Sequence, residues 1–295
     1  MRSAHLGAIP KISQTFTEYE SLEIFEKICL CRSFERNAAK AYDEKLVPGF
    51  PVYLSLGQEA ISAGLSLIFH ESIKRFVQHR CHDIYICWDG DIKALRDELL
   101  GLPSGCSKGM GGSASIHSPE TGLFGHDGLL GTQIPIAVGY ALGTNQITLA
   151  VMGDAAAEEG YVLGAMGEAV TKKAPVFFVC YDNNLSLLTE IKVRRSWSIV
   201  DEAKAKGMPA VDITNDPWLV AHYAKALSKQ LPAFLNIRTC RELWHAGSGC
   251  DGPPEWNRYE LVKKEMAVLG LEKEANKIEK ETENFVDSIW NERRN

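Results

Sequence analysis

The stretch from 147 to 184 constrains the fold more than any other part of the chain. ITLAVMG is a short, continuous apolar run, the pattern of a strand buried on both faces. It ends in DAAAEEG; YVLGAMGEAVTKK then reads as a helix, and APVFFVCYDNN is a second buried strand ending in polar residues. Two such strands joined by a helix form a βαβ unit, which predicts parallel strands and a right-handed crossover. The pattern returns with PAVDIT (209–214), a helix over about 217–230, and PAFLNIRTC (232–240). The expected fold is therefore α/β, an open, mostly parallel sheet with helices on both faces.

Around this centre the chain predicts helices. Residues 17–43 carry Tyr19, Leu22, Phe25, Ile28 and Phe34 at the spacing of one buried stripe. Further helices are expected over about 58–68 and 91–101, and QIPIAVGYALG begins like one. Between 103 and 132 the chain is dense in glycine, and ordered loops of that length usually carry function. The tail over 258–294 is charged and helical, with Ile278, Phe285, Ile289 and Trp290 on one side, as in a surface helix or subunit contact. With no repeat and no Pro/Gly/Ser linker, one domain spanning 1–295 is expected.

Composition excludes several classes of function. A net charge of −6 argues against a general nucleic-acid field. No uncharged run approaches the roughly 20 residues that a bilayer-spanning helix needs. The eight cysteines are scattered without a CxxC pair, which fits reduced thiols in a cytosol. MRSAHLGAIPKISQTF lacks the apolar core of a secretory signal and is poor in arginine for a transit peptide. The expected setting is cytoplasmic.

In open parallel sheets, ligands bind beyond the carboxyl ends of the strands. Asp154 directly follows one predicted strand and Asn183 lies at the end of the next, one crossover later. Parallel geometry brings both to the same sheet edge. A carboxylate and an amide oxygen, with a backbone carbonyl, make the hard oxygen set that suits Mg²⁺ or Ca²⁺. Gly153, Ala155 and Ala156 are small enough for backbone N–H groups to approach phosphate oxygens. From spacing alone a second reading stands beside this one, in which Asp154 caps a helix and Asn183 turns a loop.

GDAAAEEG followed by APVFFVCYDNN resembles the thiamine diphosphate and metal motif, Gly-Asp-Gly to Asn-Asn. From about residue 25 to 290, SFERNAAKAY, LSLGQEA, HRCHD, GCSKGMGGS, GLLGTQIPIAVGYALG, AKGMPAVDI and RELWH fall in the order of further family blocks. The chain is thus similar to the alpha subunit of the thiamine-dependent first component of 2-oxo acid dehydrogenase complexes, the pyruvate, branched-chain and acetoin enzymes. The resemblance implies Mg²⁺ ligands at Asp154, Asn183 and the carbonyl of Leu185, with Asn184 as the fallback. It implies diphosphate contacts from Arg80, the Ala155 and Ala156 amides and Arg241, with His79 beside that arginine. Gly128 and Leu130 would hold the aminopyrimidine, and Leu187 would be the apolar wedge that bends the cofactor. His245 and His82 would be active-site histidines. The family chemistry is decarboxylation of a 2-oxo acid and transfer of the acyl unit, to a lipoyl group of an acyltransferase in the usual case. A chain of 295 residues matches the diphosphate domain only. The resemblance therefore implies a beta subunit, in an α2β2 tetramer, that supplies the pyrimidine domain and its activating glutamate.

The chain also departs from that family. Ala155 stands for the third glycine of the motif, and Asp182 for the first asparagine of the usual pair. Gly164 and Gly167 replace Glu and Asn, Ser115 replaces a histidine, and Ala246 replaces a serine. The usual Gly-Gly-His-Gly reads Gly125, His126, Asp127, Gly128. The 184–209 segment lacks the usual loop sequence, which argues against regulation there by phosphorylation. These changes leave open carbon–carbon transfer to an aldehyde or ketone, or a scaffold subunit without turnover. His117, His126 and His222 have no family role and are expected to be structural. A zinc cluster in HRCHD lacks a second ligand group at suitable spacing.

Overall fold

The computed structural model describes residues 3–49, 51–69 and 73–292. The strands, in chain order, are β1 (Lys74–Phe76), β2 (Leu123–Phe124), β3 (Thr148–Gly153), β4 (Val176–Asp182), β5 (Leu185–Ser186), β6 (Thr189–Glu190), β7 (Ala210–Thr214) and β8 (Ala233–Arg238). Six of them form one open, all-parallel sheet in the order β2-β1-β3-β4-β8-β7, and β5 and β6 make a separate small hairpin. β3 and β4 are joined by the helix Gly160–Lys172, so the predicted βαβ unit stands at the centre of the sheet.

The continuous apolar runs have the reason that sequence periodicity assigns to them. Leu149, Val151, Phe177, Val179 and Leu235 enter the core on one face of the sheet. Ala150, Met152, Phe178, Cys180 and Phe234, the alternate residues, enter the core on the other. Successive strand side chains point to opposite faces, and both faces are covered.

The helix Glu18–Asp43 begins where the sequence places it. The Thr17 hydroxyl accepts the Glu20 N–H at 3.2 Å while the Glu20 carboxylate accepts the Thr17 N–H at 2.7 Å, a reciprocal cap. Phe25, Ile28 and Phe34 are buried, whereas Tyr19 at the first turn is 76% exposed and lies outside the stripe. The tail differs from expectation. It is two helices, Arg258–Val268 and Glu272–Asn291, interrupted by Gly270 at φ +77°. The second packs on the N-terminal helix: Val286 and Trp290 join the core, and the Trp290 ring lies 5.5 Å from that of Phe34. Burying an indole and a valine stabilises by roughly 1.5–3 kcal/mol each, so the tail belongs to the fold and is not a free surface helix. Phe285, expected on the same side, is half exposed. Among the described residues no helix is long and apolar enough to cross a membrane.

One buried carboxylate organises the first part of the glycine-dense loop. Glu98, at the end of the helix Ile92–Leu99, is fully buried. Its carboxylate accepts the backbone N–H groups of Ser107 at 2.7 Å, Gly109 at 2.9 Å, Gly111 at 2.8 Å and Gly112 at 3.0 Å. Four charge-assisted bonds hold a loop that has little secondary structure of its own.

Candidate active site

Strand register sets the geometry of the site. β3 and β4 pair with Gly153 opposite Tyr181, so Asp154, just past β3, follows the same edge as Asp182, the last residue of β4. Asn183 follows, and the chain then turns through the β5–β6 hairpin, where Leu187 takes a left-handed φ of +53°. A cavity of about 450 Å³ opens beyond these strand ends. Gly153, Asp154, Ala155, Ala156, Asn183, Leu185 and Leu187 line it from below. His79, Arg80, Gly128, Leu130 and His245 line it from above. Asn184 turns away and lines a neighbouring cavity, so Asn183 is the asparagine that faces Asp154 across the site.

Gly128 is at φ +102° with open space where a Cβ would lie. That backbone is strained for any residue with a side chain, and it leaves room for a flat group. Leu130 is fixed by the Tyr161 hydroxyl, which donates to its carbonyl.

Asp154 is almost completely buried, and Arg194 donates to its carboxylate and, at 2.6 Å, to Glu158. Arg195 donates to the Asp154 carbonyl at 3.1 Å. Burial and the nearby Asp182 nevertheless outweigh Arg194, and push the Asp154 carboxyl up to about 7. Asp182 already accepts from Asn236 at 3.2 Å and lies 3.9 Å from Arg238, so Asp154 is the carboxylate of the pair left to find positive charge. Arg194 fills that need in part, and the oxygen set of Asp154, Asn183 and the Leu185 carbonyl is suited to a hard divalent ion.

Two arginines supply the opposite field. Arg80 is buried and donates to the carbonyls of Leu54 and, at 2.8 Å, His245. Burial and the charge of Arg241 push it down to about 10. Arg241 donates through Nη2 to the Leu187 carbonyl at 2.8 Å and to Asp251 at 3.1 Å. Its Nε and Nη1 are buried with no hydrogen-bond partner among the described residues. Arg241 does not line the main cavity; it lines an adjoining one that shares Asn183 and Leu185. Unpaired buried guanidinium nitrogens leave an anion unaccounted for.

Three imidazoles line the upper wall. His79 lies 5.2 Å from His245 and 5.7 Å from His126, ring centre to ring centre. The Tyr53 ring stands edge-on to His79 at 4.6 Å and to His245 at 5.4 Å. Burial holds His79 well below the usual histidine range, reinforced by Arg80 and the other two rings. Burial, Arg80 and Arg241 push His245 down to about 4. Both rings are thus neutral at physiological pH, each with one N–H to donate and one nitrogen to accept a proton.

His82 does not join this cluster. Its ring is fully buried, with Nδ1 at 3.0 Å from Glu35 and Nε2 at 2.9 Å from the Ser113 hydroxyl. Both nitrogens are spent on neighbours, so the ring does not reach the cavity. Its neighbour Ser113 also accepts the N–H of the cavity-lining Tyr53 at 2.8 Å. His126, expected to be structural, lines the cavity instead. Sequence reading missed Tyr53, Arg194 and Glu98 as well. A carboxylate just ahead of a loop rich in glycine N–H groups was a legible signal for Glu98; nothing local marks the other two. Among the described residues no group of three or more His, Cys, Asp or Glu side chains is arranged to hold a metal, HRCHD included.

The family described as the dehydrogenase E1 component matches residues 26–245. The chain is similar to the mitochondrial pyruvate dehydrogenase E1 component subunit alpha-1 of Arabidopsis thaliana, at 29% identity over 97% of this chain and 79% of the relative. It is similar to the corresponding alpha subunit of Rickettsia prowazekii (strain Madrid E), at 28% identity over 83% of this chain and 78% of the relative. Identity to the testis-specific mitochondrial pyruvate dehydrogenase E1 alpha subunit of Rattus norvegicus is 27%, over 81% of this chain but 63% of the relative.

Proposed function

The chain belongs to the dehydrogenase E1 component family, and on that premise we propose that it is the alpha subunit of a thiamine diphosphate- and Mg²⁺-dependent 2-oxo acid dehydrogenase-like enzyme. The observation that supports this reading is a buried carboxylate, Asp154, lining the main cavity, with a buried arginine with orphaned nitrogens, Arg241, lining the adjoining cavity that shares Asn183 and Leu185. A dianionic diphosphate neutralised by a divalent ion satisfies both.

Asp154, the Asn183 amide and the Leu185 carbonyl would hold Mg²⁺. Arg80, Arg241 and the Ala155 and Ala156 amides would hold the diphosphate, Gly128 and Leu130 the aminopyrimidine, and Leu187 the bend. When bound, thiamine diphosphate supplies the nucleophilic carbon and electron sink for loss of carbon dioxide from a 2-oxo acid. His245, kept neutral by burial, Arg80 and Arg241, and His79, kept neutral by burial, Arg80 and the neighbouring imidazoles, would each donate a hydrogen bond to the substrate's carbonyl oxygen. His82 positions; it does not touch substrate.

Two features support a beta partner completing the site as α2β2. Leu129, Leu187, Leu188 and Trp244, on the segments that carry the site, are 48–74% exposed. Gly139, Gly143, Gly164 and Gly167 lie on the helices Gln133–Thr144 and Gly160–Lys172 with open space at each Cβ position. Apolar and glycine-lined surface of this kind suits close packing by another chain. The chain itself is read as one diphosphate-type domain working in the cytoplasm.

Calorimetric titration of thiamine diphosphate with Mg²⁺ into this chain, co-purified with a beta-like chain, tests the proposal. Metal-dependent binding that Asp154→Ala abolishes is the expected result. No binding by a folded complex would leave only a scaffold role.

A further inference from the structure

We infer that Glu35, His82 and Ser113 form a buried positioning relay for His245, the imidazole that the reading above sets against the substrate. The inference rests on that reading and adds the residues that fix its geometry. Glu35 comes from the N-terminal helix, His82 from the start of the helix His82–Cys87, and Ser113 from the glycine-dense loop. All three are 2% exposed or less. His82 Nδ1 lies 3.0 Å and 3.2 Å from the two Glu35 oxygens, and Nε2 lies 2.9 Å from the Ser113 hydroxyl. The bonding pattern gives each proton one place: Nδ1–H to Glu35, the Ser113 O–H to Nε2, and the Tyr53 N–H to Ser113 at 2.8 Å. Every nitrogen and oxygen of the three side chains is bonded, the condition under which a buried polar network is rigid.

The relay converges on one irregular segment. Residues 52–56 belong to no helix or strand, so side chains and other loops meet their backbone groups. Ser113 takes the Tyr53 N–H, Arg80 donates to the Leu54 carbonyl, and Glu35 accepts the Ser55 N–H at 3.1 Å and its hydroxyl at 2.6 Å. The same segment holds the stretch that carries His245, on both sides of it. The Val52 carbonyl accepts the Gly247 N–H at 2.8 Å, and the Leu56 carbonyl accepts the Glu242 N–H at 2.9 Å. Arg80 adds a bond to the His245 carbonyl at 2.8 Å. Between these ties the Tyr53 ring stands edge-on to His79 at 4.6 Å and to His245 at 5.4 Å. A histidine bonded at both nitrogens inside a core is ordinarily structural and nothing more. Here its partners end on the backbone that cradles a cavity imidazole, so a movement of 52–56 is a movement of His245. Misplacing a reacting group by about 1 Å costs up to about a hundredfold in rate.

The first test is spectroscopic. In the full chain with isotope-labelled histidine, each ring gives a Cε1–H resonance, assigned by its loss in His79→Gln and His245→Gln. Ser113→Ala cuts the link to Tyr53 and should move the His79 and His245 resonances, while those of the exposed His5 and His222 stay in place. The second test uses the αβ complex with thiamine diphosphate and Mg²⁺, pyruvate as substrate and ferricyanide as electron acceptor. There Ser113→Ala should lower kcat by about tenfold, with calorimetric cofactor affinity within about threefold of the wild type. Ser113→Cys, nearly isosteric with serine, should move the same resonances by less, and it carries both tests if Ser113→Ala does not fold. Leu227→Ala, in the core at the amino end of the sheet, controls for lost stability. It should melt lower and leave both resonances and kcat in place. Unmoved His79 and His245 resonances, equal movement in Leu227→Ala, or a kcat within about twofold of the wild type overturns the relay. A wild-type complex that neither binds cofactor nor turns over pyruvate is a failure of the earlier reading, and the resonances of the free chain then decide the relay alone.

Discussion

Arg194 is ion-paired to Asp154 across the carboxyl edge of the sheet, although 40 residues of chain separate them. The arginine comes from the short helix Ile191–Arg194, beyond the β5–β6 hairpin, and the carboxylate from the end of β3. The side chain that neutralises the proposed metal ligand thus belongs to the segment that also carries Leu185 and Leu187.

On the proposed reading a divalent ion would compete with Arg194 for the Asp154 carboxylate. Arg194→Ala removes the competitor, and the apparent affinity for Mg²⁺ in the presence of thiamine diphosphate should rise by about five- to tenfold, as a coupling of order 1 kcal/mol implies. Calorimetry at constant cofactor concentration measures it. A fall in affinity would mean that Arg194 supports the bound state.

Arg241 has two buried nitrogens without partners. Charge-assisted hydrogen bonds are worth about 1.5–3 kcal/mol. Arg241→Gln should therefore weaken thiamine diphosphate binding by roughly ten- to a hundredfold, while the free chain keeps its melting temperature within a few degrees. Cofactor titration and thermal scans of the same preparations decide this.

Glu98 holds the glycine-dense loop through four backbone N–H groups. Glu98→Ala leaves these donors without their acceptor in a buried place, with an expected loss of about 3 kcal/mol or more. Hydrogen exchange should accelerate first over residues 105–118. Denaturant unfolding gives the magnitude, and exchange mass spectrometry the location.

Asp83 is fully buried, and burial pushes it up to about 7 even though Ser62 donates to it at 2.5 Å. The folded chain thus holds this proton more tightly than the unfolded chain, whose aspartate titrates near 3.9. The sign follows: the stability associated with the group is complete below about pH 4 and is lost as pH rises to about 7. Asp83→Asn, neutral at all pH, should melt above the wild type at pH 8, keep about a third of that advantage at pH 5 and lose the rest below about pH 4. The upper bound at pH 8 is about 4 kcal/mol. Thermal melts across that range read it directly; a gap that widens toward pH 5 would contradict the assignment.

Alternation and motif spacing in the chain were enough to establish the α/β class, the central βαβ unit and the sheet edge at which the cavity opens. They rest on local rules: side chains alternate along strands, helices need a stripe, and polar residues stop a buried strand. Asp154 and Asn183 could be read as a pair because one crossover separates them and parallel register does the rest. Residues whose partners lie far along the chain were beyond that reading. His82 shares the HRCHD segment with His79 but turns inward to Glu35, since successive residues at a helix start point in different directions. His126 reaches the cavity because a tight glycine packs its loop under Ile116. Arg194 finds Asp154 by the path of a hairpin, and Trp290 finds Phe34 because the tail folds back to cover the first helix. Side-chain direction and long-range burial depend on the whole packed chain, so only the tertiary structure decided which histidines face the site and which charges oppose each other within it.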